Sequence, residues 1–444
     1  MTKGERKHIS PWVWVPTLYF TEGIPYFLVN SISVMLFAKM GVPNGQLAFF
    51  TTLLYFPWFL KGLWSPFVDV IRTKRWWIVT MQALLTVLCL LLVVTLPHPD
   101  PQMMAAKQTS VGLFRWTLIF FIIAAFASAT HDIAADGYYM LAHDQKSQAA
   151  FVGIRSTFYR IAAVFSQGVL VYIAGYIENK TGDIPLSWQV TLGATCAILL
   201  LVTLYHSFFL PRAEEQTADN RQLADVGHEL QEAFRTFFTK PGVGLAIAFM
   251  LLYRLSEGFL VKLSQPFLVD AREAFVREGQ IIGGGLALST DTVGLLYGTI
   301  GVIFLLLGGI LGGIFISRYG LKRAIWLMAA ALTLPSFVYC YLSMAQPDSL
   351  WIIGTAVSFE QFGYGFGFTA YMMYMMYFSE GKYKTSHYAI CTAFMALSMM
   401  IPGFVAGYIE QAVGYSLFFW IANTCSITTF AITYFVYKRL NTND

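Results

Sequence analysis

The segment Ala174-Gly175-Tyr176-Ile177-Glu178, with Gly182 four residues beyond the glutamate, returns as Ala406-Gly407-Tyr408-Ile409-Glu410 with Gly414 at the same offset. Each copy closes a long apolar run. A single repeated pentapeptide is weak evidence, but two further matches fall in the same order about half a chain apart. Leu18-Tyr19 precedes Thr21-Glu22-Gly23 as Leu252-Tyr253 precedes Ser256-Glu257-Gly258. The stretch Asp69-x-x-x-x-Lys74-Arg75 corresponds to Gly313-x-x-x-Ser317-Arg318-x-Gly320-x-Lys322-Arg323. The chain reads as one unit used twice.

A helix needs about 20 apolar residues to cross a bilayer. Twelve such runs fit, here called spans 1–12: 12–38, 45–70, 76–97, 112–140, 147–178, 188–210, 241–269, 291–317, 324–344, 350–379, 386–409 and 415–437. Of the 444 residues, 57% are hydrophobic and 12% charged. Soluble domains carry about 25% charged residues, so a soluble multidomain enzyme is excluded. Runs such as 84–96 and 118–127 do not alternate, which excludes a membrane β-barrel. The expected fold is an all-α membrane protein of twelve helices, six on each side of one polar break. That break makes 1–210 and 241–444 the two bundles and 211–240 a linker. Within it, Leu223, Val226, Leu230, Phe234 and Phe237 recur at helical spacing, either as an amphipathic helix on the inner membrane surface or as a solvated linker.

With the amino terminus inside, eighteen Lys and Arg fall in inner loops and tails and six in outer loops. This positive-inside bias puts both termini in the cytoplasm. The net charge of +4 is thus a topology signal, and no nucleic-acid partner is expected. The five cysteines all fall inside apolar runs, with neither disulfide nor metal-ligand spacing, and no cofactor is implied. The first run is long and lacks a small-residue cleavage site, so it reads as a retained span.

An ionisable side chain at the bilayer centre costs roughly 2.5–3.5 kcal/mol on insertion scales, so each needs a partner or a water-filled cavity. Glu22, Lys61, Arg160, Arg254, Glu257 and Glu360 fall near mid-depth, with Asp132, Asp136 and Arg155 nearer the inner side. Charges of both signs in both halves point to a polar cavity at the repeat interface. Glu22 and Lys61 are either a structural ion pair or a ligand and proton site. Asp132 and Asp136 lie one turn apart on one helix face, where two acids can share a proton. Pairing of either with Arg155 or Arg160 would link protonation to movement of span 5. Arg254 and Glu257 are three residues apart and can face Glu360. Glu22 and Glu257 are symmetry mates.

The layout resembles the major facilitator superfamily, whose loop pattern between spans 2–3 and 8–9 is close to Gly-x-x-x-Asp-Arg-x-Gly-Arg-Arg. The second copy matches except for Ser317 in place of the acid; the first keeps Asp69 but has Val70 and Arg72 where Arg and Gly stand in the pattern. The resemblance makes Asp69, Lys74, Arg75, Arg318, Lys322 and Arg323 gating-loop residues, while the basic ones also set topology. More closely, Lys61-Gly62-Leu63-Trp64-Ser65-Pro66-x-x-Asp69, Asp132-Ile133-x-x-Asp136, Tyr159-Arg160, Leu252-Tyr253-Arg254-Leu255-Ser256-Glu257 and Phe359-Glu360 resemble the AmpG-type muropeptide permeases and the related acetyl-CoA transporters. That resemblance implies proton-driven import of N-acetylglucosaminyl-anhydro-muropeptides, or movement of acetyl-CoA, across a bacterial inner membrane. It also favours Glu257 and Asp132 as coupling carboxylates. Glu22 and His131 depart from the branch, which usually has a small residue and a glutamine there.

Gly23-x-Pro25 interrupts span 1 and Gly363-x-Gly365-x-Gly367 interrupts span 10, as bends or as sites of close helix packing. The run Tyr371–Tyr377 either lines a sugar or peptide site or packs. No Gly-x-x-x-x-Gly-Lys-Ser/Thr loop, Gly-x-Ser-x-Gly elbow or His-Glu-x-x-His helix occurs. The expected function is secondary active transport of a small solute, with protons and the bilayer as the other partners and no obligate protein partner. Export or exchange of another organic anion, including acyl-CoA, is the alternative. An intramembrane enzyme or a non-transporting receptor stands behind it.

Overall fold

The computed structural model describes residues 10–142, 145–211 and 223–440. Ten helical segments among them are long and apolar enough to cross a membrane, from Pro11–Lys39 to Lys384–Arg439. The last is 56 residues long and holds two crossings, because the chain leaves helical geometry at Gly414 (φ 75°, ψ 165°). The helix Leu350–Ser379 supplies span 10; its 30 residues include glycines and polar groups that dilute its hydropathy. The architecture is thus all-α and consistent with twelve crossings.

The glycine that trails each repeated pentapeptide has the same task in both copies. Gly182 adopts a left-handed conformation (φ 70°) that ends span 5, its N–H bonding the Glu178 carbonyl, and Asp183 caps the next helix. Gly414 turns span 11 into span 12. A side chain at either would be strained.

The proline and glycine signals act differently from a break. Span 1 stays helical through Pro25 and absorbs the missing donor as a π-helical turn at Leu28–Ile32. Gly23 is there for contact, since a Cβ at this position would lie 2.6 Å from the Ala162 Cβ of span 5. Span 10 is uninterrupted. A Cβ on Gly365 would meet the Leu305 carbonyl at 2.0 Å, and one on Gly363 the Ala331 carbonyl at 2.3 Å, so these glycines let spans 8 and 9 press against span 10. Spans 5 and 8 cross where both are π-helical, at Phe165–Leu170 and Gly294–Gly301.

Large apolar side chains such as Val94, Leu201, Phe208 and Ile310 are exposed on the outside of the bundle, as lipid contact requires. Buried Ser and Thr hydroxyls mostly bond carbonyls one turn back in their own helices, as Thr51 does to Leu47 at 2.8 Å. The linker forms a helix, Leu223–Phe238, which packs against spans 2 and 11. A small antiparallel hairpin, Phe275–Arg277 with Gln280–Ile282, joins spans 7 and 8 on the face opposite the termini. Three-residue strands carry too little periodicity to be read from sequence.

Candidate functional site

A cavity of about 460 Å³ lies between the first six and last six spans. Span 1 presents Glu22, Tyr26 and Asn30 to it, at the four-residue interval that keeps side chains on one helix face. Lys61, Asp132 and Tyr159 complete that wall; Arg254, Gln265, Tyr297, Gln361 and Tyr364 form the other.

On the first wall, Lys61 Nζ lies 2.6 Å from Asp132 Oδ2. The lysine therefore pairs with span 4 rather than with Glu22, whose carboxyl lies beside that of Asp132 and keeps one buried oxygen without a partner. One turn toward the termini, outside the cavity, Asp136 receives Arg155 at 2.8 Å and the Tyr19 hydroxyl at 3.2 Å. The Arg155 guanidinium lies 4.6 Å from the centre of the Tyr19 ring, so span 5 is tied to spans 1 and 4. Arg160 reaches neither acid. It is half-buried beside Gly309 of span 8, with Ser156 Oγ 3.3 Å away.

On the second wall, Arg254 donates to both Glu257 oxygens at 3.0 and 2.9 Å and to the Tyr364 hydroxyl at 2.8 Å, and sits 4.5 Å from the Phe368 ring centre. Arg254 faces the cavity; Glu257 stands behind it and shares a separate void of about 10 Å³ with Glu360. Glu360 accepts from Gln361 at 2.9 Å. The tyrosines of Tyr371–Tyr377 do not line the cavity: Tyr371 and Tyr374 are buried against Phe249.

Sequence reading assigned no role to three elements. Gln82 bridges His131 (2.9 Å) and His206 (3.0 Å), and His206 reaches Thr17 at 3.0 Å, a polar chain that ties spans 1, 3, 4 and 6 together. Lys262 is buried against Thr51 at 3.4 Å and the Tyr55 ring at 4.8 Å. The third is the pair of repeated pentapeptides, which carried a plain sequence signal without an evident task.

Both copies cross from one half of the chain to the other on the face opposite the termini. Glu178 accepts from Thr290 of span 8 at 2.6 Å and pairs with Lys39 at 2.7 Å. Glu410 accepts from Asn44 of span 2 at 2.9 Å. Asn44 also donates to Tyr415 at 2.8 Å and accepts from Lys107, which bonds Asp270 at 2.5 Å. The glycines set the approach. A Cβ on Gly175 would fall 2.0 Å from the Asp291 nitrogen, and one on Gly407 1.9 Å from the Asn44 carbonyl oxygen.

On the termini face the basic loop residues cap their own half. Arg75 donates to the Leu210 and Ser207 carbonyls at the end of span 6, at 2.9 and 2.5 Å. Lys322 donates to the Leu440 carbonyl at the end of span 12, at 2.6 Å. Such cations stabilise helix C-termini. Lys74 is buried beside Gly137, while Arg318 and Arg323 are exposed. The side chain of Asp69 lies outside the described residues.

Comparison with known proteins agrees with this architecture. The Major Facilitator Superfamily model matches residues 17–265, more than half of the chain. The anhydromuropeptide permease of Escherichia coli K12 is 24% identical over 90% of this chain and 74% of its own length. The putative transporter AmpG 2 of Rickettsia typhi is 24% identical over 97% and 96%. Among solved structures, an inward-facing, unoccupied bacterial homologue of the human lysosomal transporter Spinster superposes with a TM-score of 0.71 at 14% identity, covering 98% of both chains. The chain belongs to the Major Facilitator Superfamily and is a multi-pass membrane protein, a secondary transporter of small solutes.

Proposed function

We propose that this protein imports anhydro-muropeptides, or closely related sugar–peptide fragments, with protons across a bacterial inner membrane, both termini lying in the cytoplasm. Residues 1–210 and 241–444 act as two bundles that rock about the central cavity, joined by 211–240. The observation that carries the coupling is the Glu22–Asp132–Lys61 cluster on the cavity wall. Two carboxyls in contact can hold one proton between them, and a third group of opposite sign responds to its loss. The solute and the proton then meet in one place. Arg254, held by Glu257 and flanked by Tyr364 and Phe368, offers a fixed cation and aromatic faces for an acidic, sugar-bearing solute. Glu257 thereby becomes a positioning residue, and Asp132 with Glu22 takes the coupling role.

Asp136, held by Arg155 and Tyr19, extends the cluster toward the termini, giving a released proton an acceptor on the cytoplasmic side. The substrate class is supported by the similarity to the anhydromuropeptide permease of Escherichia coli. Uptake of labelled anhydro-muropeptide into proteoliposomes, with and without an imposed pH gradient, tests the proposal. Accumulation that depends on the gradient is expected. Uptake that ignores the gradient would remove the coupling, and no uptake by protein that still binds the solute would remove import.

A further inference from the structure

A second cavity, of about 530 Å³, lies between spans 2 and 11 on the termini side and backs onto the wall of the central one. Lys61 and Met395 face the central cavity, while Phe59, Leu63, Ile390 and Ala393 on the same two spans line this cleft. The linker helix roofs it with Phe234 and Phe238, anchored by Phe237 against Phe378 and Phe394 and by Thr236 on His387 at 3.0 Å. Leu63 and Phe238 remain about half exposed (49% and 48%), so the cleft opens sideways at the lipid belt.

Its two ends differ. The deep part is apolar and roomy; a Cβ on Gly62, which lines it, would meet nothing within 4 Å. The outer end carries Tyr383 and Ser386, beside the exposed Lys382 and Lys384. Lys382 lies over the Tyr383 ring at 5.1 Å, and among the described residues Lys384 makes a 3.7 Å contact with exposed Glu380. Lys240 nearby is committed to the Phe378 and Glu380 carbonyls.

We propose that this cleft binds an acyl chain of an anionic phospholipid, with the headgroup phosphate on Lys382 and Lys384, and that the bound lipid holds spans 2 and 11 apart on the termini side. Apolar depth, lateral opening and cations at headgroup level match a phospholipid, and the cytoplasmic leaflet supplies anionic ones. Spans 2 and 11 belong to different halves, so rocking that closes the termini side must close the cleft. A ligand that fits only the open form favours that form. This second step rests on the rocking of the two halves proposed above; the binding rests only on the cytoplasmic placement of the termini.

The test uses the full chain, stripped of lipid and reconstituted in phosphatidylcholine vesicles with or without phosphatidylglycerol. Native mass spectrometry reads the lipid retained. Spin labels at the exposed residues Ile71 and Met376 read the separation of the halves on the termini side. The wild type should retain phosphatidylglycerol over phosphatidylcholine by about tenfold, with longer label distances when it is present. Lys382→Gln with Lys384→Gln should abolish that preference, and these exposed positions do not threaten folding. Gly62→Phe should exclude both lipids. Equal retention of the two lipids by the wild type, or an unchanged preference in the double lysine variant, overturns the site. Retention without any change in distance overturns the conformational step and leaves both the site and the transport reading standing.

Discussion

The two faces of the bundle use their polar residues in opposite ways. On the face away from the termini, Glu178–Thr290, Asn44–Glu410 and Lys107–Asp270 each join residues from the first and last six spans. On the termini face, Asp136–Arg155, Arg75–Leu210 and Lys322–Leu440 each stay within one set of six. Contacts within a half survive any rigid movement of that half, whereas contacts between halves must break when the halves separate. The difference identifies the face away from the termini as the one held shut and leaves the termini face free to part. The pentapeptide that marks the duplication therefore also marks the closure, once at span 5 against span 8 and once at span 11 against span 2.

The largest effect should come from removing the close approach itself. Gly407→Leu places a side chain where the Asn44 carbonyl oxygen already stands, and no rotamer of a neighbour can clear a backbone atom. Overpacking of this kind costs about 3 kcal/mol, enough to shift the open–closed balance by more than about 100-fold. Solute uptake should collapse, with the face away from the termini becoming accessible to an impermeant thiol reagent. Gly175→Leu should do the same through the other copy.

Next in size is Lys107→Met. It leaves buried Asp270 without its cation and Asn44 without a donor, and charge-assisted bonds are worth about 1.5–3 kcal/mol. The expected outcome is a shift toward the open form of about ten- to hundredfold, read by distances between labels on spans 2 and 11. Glu178→Gln should act more weakly, about 1 kcal/mol or less, because the amide oxygen still accepts from Thr290 while only the partly exposed Lys39 pair is lost. Arg323→Ala, at an exposed position on the termini face, should stay within about 0.5 kcal/mol of the wild type in both stability and transport. A large effect there would erase the contrast between the faces.

Much of this was legible in the sequence because membrane insertion imposes a strong one-dimensional code. Apolar length, basic loops and internal repetition all leave local marks, and the helical architecture follows them. Proline and glycine were harder. Span 1 accommodates Pro25 as a π-helical turn and span 10 uses its glycines for contact, because neighbouring helices satisfy or crowd the backbone in ways spacing cannot reveal. The charged residues were recognisable as misplaced in a membrane, but their partners were not. Asp136 finds Arg155 as one of the considered pairings, whereas Lys61 takes Asp132 across 71 positions and Arg160 finds neither acid. Partner choice depends on helix rotation, to which a sequence with soft span limits is blind. The same holds for Glu178 and Glu410, whose partners lie 112 and 366 residues away.

The decisive measurement is reversible bridging of the closed face. Glu178→Cys with Thr290→Cys, in a background lacking the five native cysteines, places one thiol on each side of the seam where the side chains now bond at 2.6 Å. Bridging the pair with a short, reducible bifunctional thiol reagent should stop solute uptake into proteoliposomes, and reduction should restore it. Uptake at the unbridged rate by fully bridged protein would show that the halves need not part on this face, contradicting alternating access through the central cavity.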